Sequence, residues 1–160
     1  MQCFREDWGV LFPREFQVQA IYRGVYYNDS FSLIATKTGY GKSLVAMVIA
    51  TLRQRVTIIE VSLIGLGADQ VAKAIHVDVN IEAWHVDEFC GKKGFELKQR
   101  LDKMTEEERQ KLTMILFMLP RTLKPDSEWM PVLERFARKG SISFMCVDEA
   151  HHVNFHGGCF

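Results

Sequence analysis

Short apolar runs recur along this 160-residue chain and alternate with segments of helical periodicity. The strand-like runs cover residues 31–35, 56–61, 81–86, 113–119 and 142–147, and the helical segments include residues 44–52, 67–75 and 128–139. Strands that are apolar along their whole length, with helices between them, are typical of a parallel sheet covered on both faces. The sequence therefore predicts an α/β fold built on a mostly parallel sheet.

The ends of two helices are marked by particular residues. Thr105 and Glu108 have the spacing of a capping box, in which each side chain bonds the backbone N–H of the other residue. Gly140 is a natural terminator for the helix at 128–139, which carries one apolar face: Trp129, Val132, Leu133 and Phe136. Residues 89–103 are rich in charge and contain Gly91 and Gly94, so we expect them to be exposed.

The charges balance, with 20 lysine and arginine residues against 20 aspartate and glutamate residues. A neutral chain has no overall positive field for nucleic acid, so any such contact is expected to be local. The four cysteines form no CxxC pair, which favours a reduced, intracellular protein. No apolar stretch approaches the ~20 residues of a membrane span, so we expect a soluble protein with no membrane partner.

A glycine-rich loop lies between the first predicted strand and the helix that follows it. It reads Thr36, Lys37, Thr38, Gly39, Tyr40, Gly41, Lys42 and Ser43. In a phosphate-binding loop of this kind, the glycines let backbone N–H groups face phosphate oxygens, the lysine balances their charge, and the serine hydroxyl binds Mg²⁺. The alternative is a chance Gly-Lys-Ser sequence in an ordinary strand-to-helix turn.

Two carboxylates follow the strand at 142–147, at the end where parallel sheets bind ligands. Asp148 is placed to hold Mg²⁺ through water, together with Ser43, and Glu149 is placed to orient and deprotonate an attacking water. The loop and the carboxylates together predict a site that hydrolyses a nucleoside triphosphate, in which Lys42, Asp148 and Glu149 are catalytic.

Asp148-Glu149-Ala150-His151 is the DEAH form of a helicase ATPase motif, and residues 8–160 resemble RecQ-type helicases of superfamily two. The resemblance implies a RecA-like P-loop NTPase domain, ATP and Mg²⁺ as ligands, DNA as partner and 3′-to-5′ movement. It divides the chain into an N-terminal segment, 1–30, and an incomplete first RecA-like domain, 31–160, that is truncated after the DEAH motif. The second RecA-like domain of the family is absent from this sequence.

Other segments match the same family. Arg14 and Gln17 look like its adenine-reading motif, and Thr38 and Tyr40 complete the nucleotide-binding residues of the loop. For Gln17, an exposed polar position on an N-terminal helix is the alternative. Residues 63–71 and 115–123 resemble family segments that lie near the nucleic-acid strand.

The last residues match least. Phe155 and His156 fall in the family's aromatic-rich loop, where a ring can stack on a base of single-stranded or unwinding DNA. The spacing of His152, His156 and Cys159 is also compatible with zinc, although a fourth ligand is not evident.

Three functions remain open at this stage. The chain is expected to be the ATP-binding part of a DNA helicase, located in the nucleus of a eukaryotic source. The second possibility is a non-catalytic remnant that binds nucleic acid in a nucleotide-dependent way, and the third is another P-loop enzyme, such as a restriction translocase or a small-molecule NTPase. The RecQ resemblance also implies that a strand is missing between residues 31–35 and 142–147, which would then lie about 10 Å apart. Such a gap would leave the isolated chain poorly stable, aggregation-prone and inactive.

Overall fold

Four parallel strands form one sheet in the computed structural model, which describes residues 8–27, 34–37, 39–75, 81–88 and 92–148. The strands are β1 (Arg55–Glu60), β2 (Ile81–His85), β3 (Thr113–Met118) and β4 (Ile142–Val147). Their order in the sheet is β2-β3-β1-β4, and every neighbouring pair is parallel. The predicted α/β class and parallel sheet are confirmed.

In the described part of the chain, two helices precede β1, and from β1 onward helices lie between the strands along the sequence, as the alternating pattern predicts. They are α1 (Glu15–Tyr26), α2 (Lys42–Arg53), α3 (Ile64–Ile75), α4 (Lys92–Lys103), α5 (Glu106–Lys111) and α6 (Met130–Arg138). Short 3₁₀ turns cover Val86–Glu88 and Pro120–Leu123. Thr105 and Glu108 form the predicted capping box at α5, with Glu108 N donating to Thr105 Oγ1 (3.2 Å) and Thr105 N donating to Glu108 Oε2 (2.8 Å).

Helices cover both faces of the sheet. Every residue of β3 is therefore buried, although its side chains alternate between the two faces. On one face, Met114 and Leu116 pack into a cluster with residues of α4 and α6. On the other face, Ile115 and Phe117 pack with residues of α2 and α3. The core is therefore two apolar layers separated by a central sheet.

Helix α1 lies outside α2 and packs along it. Ile21 of α1 shares an apolar cluster with three residues of α2: Val45, Val48 and Ile49. The two helices approach closely at Gly24, where an added Cβ would lie 2.5 Å from Ile49 Cδ1. Arg53 Nη1 also donates to the backbone oxygen of Gly24 (3.1 Å). These contacts fix α1 against the helix that follows the glycine-rich loop.

The expectation that residues 89–103 are exposed is correct for only some of the residues that the structure describes there, and it is wrong for one face of the helix that they form. Residues 92–103 form α4, and Leu97 and Leu101 are each 1% exposed. Their i, i+4 spacing places both on one face, while the charged residues occupy the rest of the helix surface. Because the segment is highly charged, its narrow apolar face was not recognised from the sequence.

The predicted strand at 31–35 lies mostly outside the described residues. Residues 34–37 are described and have no regular secondary structure. Strand β4 pairs with β1, and no described strand pairs with its other edge. On this strand Met145 is 50% exposed. The separation of about 10 Å between residues 31–35 and β4 stays a prediction, as does the instability inferred from it.

Candidate nucleotide-binding site

The glycine-rich loop runs directly into the N-terminus of α2. Gly41 precedes the helix with φ of 81°, and Gly39 has φ of 78°. Both values lie in the left-handed region, which glycine adopts without the steric cost of a Cβ. Since a glycine has no side chain with which to cap the helix, the N–H groups of the first turn remain available to an anion.

Lys42 is the first residue of α2, and its side chain reaches back over the loop. The ammonium Nζ donates to the backbone oxygens of Thr36 (3.3 Å) and Lys37 (3.5 Å). The positive charge is therefore held beside the loop that the sequence assigns to phosphate. Phosphate oxygens would be stronger acceptors for this charged donor than neutral carbonyls.

Ser43 and Asp148 are 105 residues apart in sequence and meet at the carboxyl end of the sheet. Ser43 Oγ donates to Asp148 Oδ2 at 2.9 Å. Asp148 directly follows β4, and its backbone N–H donates to the oxygen of Glu60 at the end of β1 (3.0 Å). The structure thus brings together the two residues that the sequence assigns to Mg²⁺.

Gln17 lies beneath the loop rather than on the surface. Its side chain is only 5% exposed, so the alternative of an exposed polar position is wrong. Gln17 Nε2 donates to the oxygen of Gly41 (3.2 Å), and Gln17 Oε1 accepts from the backbone N–H of Arg14 (2.8 Å). A Cβ at position 41 would lie 2.7 Å from Gln17 Nε2, so this contact also needs glycine.

Arg14 and Tyr40 lie together at the same end of α1. The Arg14 guanidinium carbon is 4.1 Å from the centroid of the Tyr40 ring, which is a cation–π distance. The ring of Tyr40 is 40% exposed. Arg14 and Tyr40 are therefore exposed together, next to the loop under which Gln17 is buried.

Sequence reasoning assigned no role of its own to Gln70, which also contacts Ser43. Gln70 Nε2 donates to Ser43 Oγ at 3.2 Å, and the side chain is 5% exposed. The signal that could have revealed it is periodicity, since Gly67, Gln70 and Ala74 share the buried face of α3. A glutamine on an otherwise small or apolar face requires a polar partner.

Sequence reasoning also missed Glu60, which is the last residue of strand β1. Asp148 has a similar place in the fold, directly after strand β4. Burial raises the pKa of the Glu60 carboxyl above its usual value. Burial also raises the pKa of the Cys146 thiol to about 11, and the nearby charges of Asp148 and Glu60 act in the same direction. The strand ends therefore concentrate negative charge, which favours a bound cation.

Asp87 organises the neighbouring loop at the same edge of the sheet. Its side chain is 4% exposed and accepts hydrogen bonds from the backbone N–H of Leu119 (2.8 Å) and from Arg121 Nε (3.2 Å). The hydroxyl of Thr122 donates to the same carboxylate. This network holds the Pro120–Leu123 turn, within the segment whose role near nucleic acid stays a prediction.

Several predicted site residues lie outside the described part of the chain: Thr38, Glu149, Phe155 and His156. The zinc alternative falls entirely on undescribed residues as well. Among the residues that are described, no group of three or more His, Cys, Asp or Glu side chains could hold a metal ion. Within the same residues, no helix combines the length and the apolar character that crossing a membrane requires.

The architecture is that of a RecA-like α/β domain, with the glycine-rich loop and Asp148 adjoining at one edge of its sheet. No protein-family model matches the chain. The chain is similar to the ATP-dependent DNA helicase Q5 of Rattus norvegicus, at 26% identity over 93% of this chain. The Mus musculus protein of the same name gives the same identity and coverage. The chain spans 16% of the length of each relative.

Proposed function

We infer that this chain is the ATP-binding part of an ATP-dependent DNA helicase that moves 3′ to 5′. In this proposal residues 1–30 read adenine, and residues 31–160 belong to the first of two RecA-like domains. The observation that carries the proposal is the Ser43–Asp148 hydrogen bond, which joins the glycine-rich loop to the acidic motif. The names of the similar rat and mouse proteins support ATP dependence and DNA as the substrate.

ATP would bind with its phosphates against the N-terminus of α2. The backbone N–H groups of the loop, from Thr38 to Ser43, would face the phosphate oxygens. Lys42 would move its ammonium from the carbonyls of Thr36 and Lys37 onto the terminal phosphates, a short shift because the donor already lies beside the loop.

The residues present fit Mg²⁺, which prefers hard oxygen ligands. Ser43 offers a hydroxyl oxygen directly, and Asp148 offers a carboxylate that can hold the ion through water. When bound, Mg²⁺ neutralises part of the charge on the phosphates. Glu149 follows Asp148 immediately, and it would orient the attacking water and accept its proton.

The adenine would lie against the exposed side chains of Arg14 and Tyr40, next to the buried amide of Gln17. Tyr40 is exposed enough to contact a ring, and Arg14 is stacked on it. Gln17 uses one donor and one acceptor within the protein, and an amide retains a second hydrogen and a second lone pair for a base edge.

Replacing Gln17 with alanine should reduce the preference for ATP over GTP about three- to ten-fold, because the amide is a discriminating hydrogen-bonding group. The measurement is the ratio of the two affinities from competition with a fluorescent nucleotide. The matched control is Gln19→Ala on the same helix, where the amide is exposed and bonds Glu15. An unaltered ratio in Gln17→Ala would contradict adenine recognition.

Helicase activity itself requires protein beyond this chain. Phe155 and His156 would stack on bases of the tracked strand, and a second RecA-like domain would close the ATP site. A protein that unwinds chromosomal DNA works inside the cell, in the nucleus of a eukaryote.

The test uses a longer protein, in which the first RecA-like domain is complete and is followed by a second one, and measures unwinding of a fluorescent duplex. We expect ATP-dependent unwinding of a duplex with a 3′ single-stranded tail and not of one with a 5′ tail. Binding of nucleotide and DNA without hydrolysis would instead favour the non-catalytic remnant. Hydrolysis without any dependence on DNA would favour another P-loop enzyme.

A further inference from the structure

Gln70 is held in place by close packing of the helix that carries it. One turn earlier on α3, Gly67 meets the ring of His85 on β2, and a Cβ at position 67 would lie 2.5 Å from His85 Cδ2. Later on the same face, Ala74 is fully buried. Close packing at residues 67 and 74 therefore holds α3 against the sheet on both sides of Gln70. This packing fixes the direction in which the Gln70 amide extends.

The hydrogen-bonding capacity of Ser43 is almost fully assigned. A serine hydroxyl has one hydrogen and two lone pairs. The hydrogen is donated to Asp148 Oδ2 (2.9 Å), and one lone pair accepts from Gln70 Nε2 (3.2 Å). Among the described residues a single lone pair of Ser43 is left without a donor, and the two partners determine where it points.

The oxygen of the Gln70 amide has no hydrogen-bond partner among the described residues. Gln70 Oε1 is buried and accepts no hydrogen bond from the described residues. A buried polar oxygen without a partner is costly, so its retention beside Ser43 calls for a donor. Water in the hydration shell of a cation bound to Ser43 is such a donor.

We propose that Gln70 is a positioning residue for Mg²⁺, which orients the Ser43 hydroxyl so that its free lone pair faces the ion. This inference rests on the proposed function, because it assumes Mg-nucleotide at Ser43. It gives residues 63–71 a role at the ATP site itself. Any movement of α3 would then change the affinity for the ion.

The experiment measures binding of a fluorescent ATP analogue to the 160-residue chain while Mg²⁺ is titrated. The variant is Gln70→Met, which keeps the length and burial of the side chain and removes both hydrogen-bonding functions. The Mg²⁺ concentration at half-saturation should rise about three- to ten-fold, as expected for loss of one hydrogen bond. Binding of the analogue without Mg²⁺ and the thermal unfolding midpoint should stay at parent values.

A second set of variants separates positioning from packing. If Gln70 acts through Ser43, then Ser43→Ala combined with Gln70→Met should lose no more Mg²⁺ affinity than Ser43→Ala alone. Gln70→Asn, whose amide is too short to reach Ser43, should match Gln70→Met and serves if the methionine variant does not fold. The matched control is Gln110→Met, at an exposed amide on α5 that bonds Glu106.

The outcomes distinguish this inference from the function on which it rests. If the parent chain is folded, as its thermal unfolding transition shows, and binds no nucleotide, the proposed function fails and the role of Gln70 fails with it. If the chain is not folded, the same variants are compared in the longer protein with two RecA-like domains. If the parent binds Mg-nucleotide and both Gln70 variants have parent-like Mg²⁺ dependence, only the inference is overturned. Additive losses in the double variant would likewise overturn it, since they indicate independent effects.

Discussion

Lys42→Ala is expected to weaken binding of Mg-ATP about 10- to 100-fold, the range for losing a hydrogen bond to a charged group. The ammonium of Lys42 lies beside the glycine-rich loop and donates to two backbone carbonyls. Those carbonyls lose little when the side chain is removed, because they face a partly exposed loop. The terminal phosphates would lose a full positive charge. Hydrolysis should fall further than binding, since charge on the phosphates grows in the transition state.

The measurement is titration of a fluorescent ATP analogue, followed by phosphate release from the protein that also contains the second domain. Lys73→Ala is the matched control, because Lys73 is an exposed lysine whose carboxylate partner Asp69 is one turn away on α3. Alanine is a strong helix former, so α2 should tolerate the change at its first position. Unchanged affinity and turnover in a folded Lys42→Ala protein would remove the phosphate-binding assignment.

The sheet could be predicted because each strand carries its own signal. Residues 113–119 and 142–147 are predominantly apolar, and both form strands within one residue of the predicted bounds. The local sequence could not give the strand order, because pairing of β1 with both β3 and β4 depends on contacts between distant segments. Charge misled the prediction at α4, where two buried leucines are enough to dock a helix that is otherwise polar.

The candidate site was predictable where a motif concentrates the chemistry in neighbouring residues. Ser43 and Asp148 each belong to such a motif, and a direct hydrogen bond joins their side chains across 105 residues. Gln70 and Glu60 belong to no motif that the sequence assigns to the nucleotide site. They reach the site because α3 docks beside the loop and because β1 ends next to β4. Residues recruited by packing are found by looking for polar side chains on buried faces.

Hydrolysis and binding should separate at Glu149. Glu149→Gln removes the proton acceptor and keeps the size of the side chain, so hydrolysis should fall about 10²- to 10⁴-fold, the usual contribution of a general base. Binding of Mg-ATP should change little, because the variant leaves the Ser43–Asp148 contact and the position of Lys42 beside the glycine-rich loop unaltered. The backbone bond from Asp148 to Glu60 fixes the chain immediately before Glu149.

Phosphate release in the two-domain protein and titration of the ATP analogue measure the two effects on the same preparation. Glu134→Gln provides the matched control, since Glu134 is an exposed carboxylate of α6 that pairs with Arg138. The decisive pattern is retained affinity with lost turnover, because a variant that merely unfolds loses both. Turnover at the parent rate in Glu149→Gln would assign the base to another residue. Glu60 would then be the first to test, because it lies at the neighbouring strand end and burial raises the pKa of its carboxyl, which makes the carboxylate a stronger base.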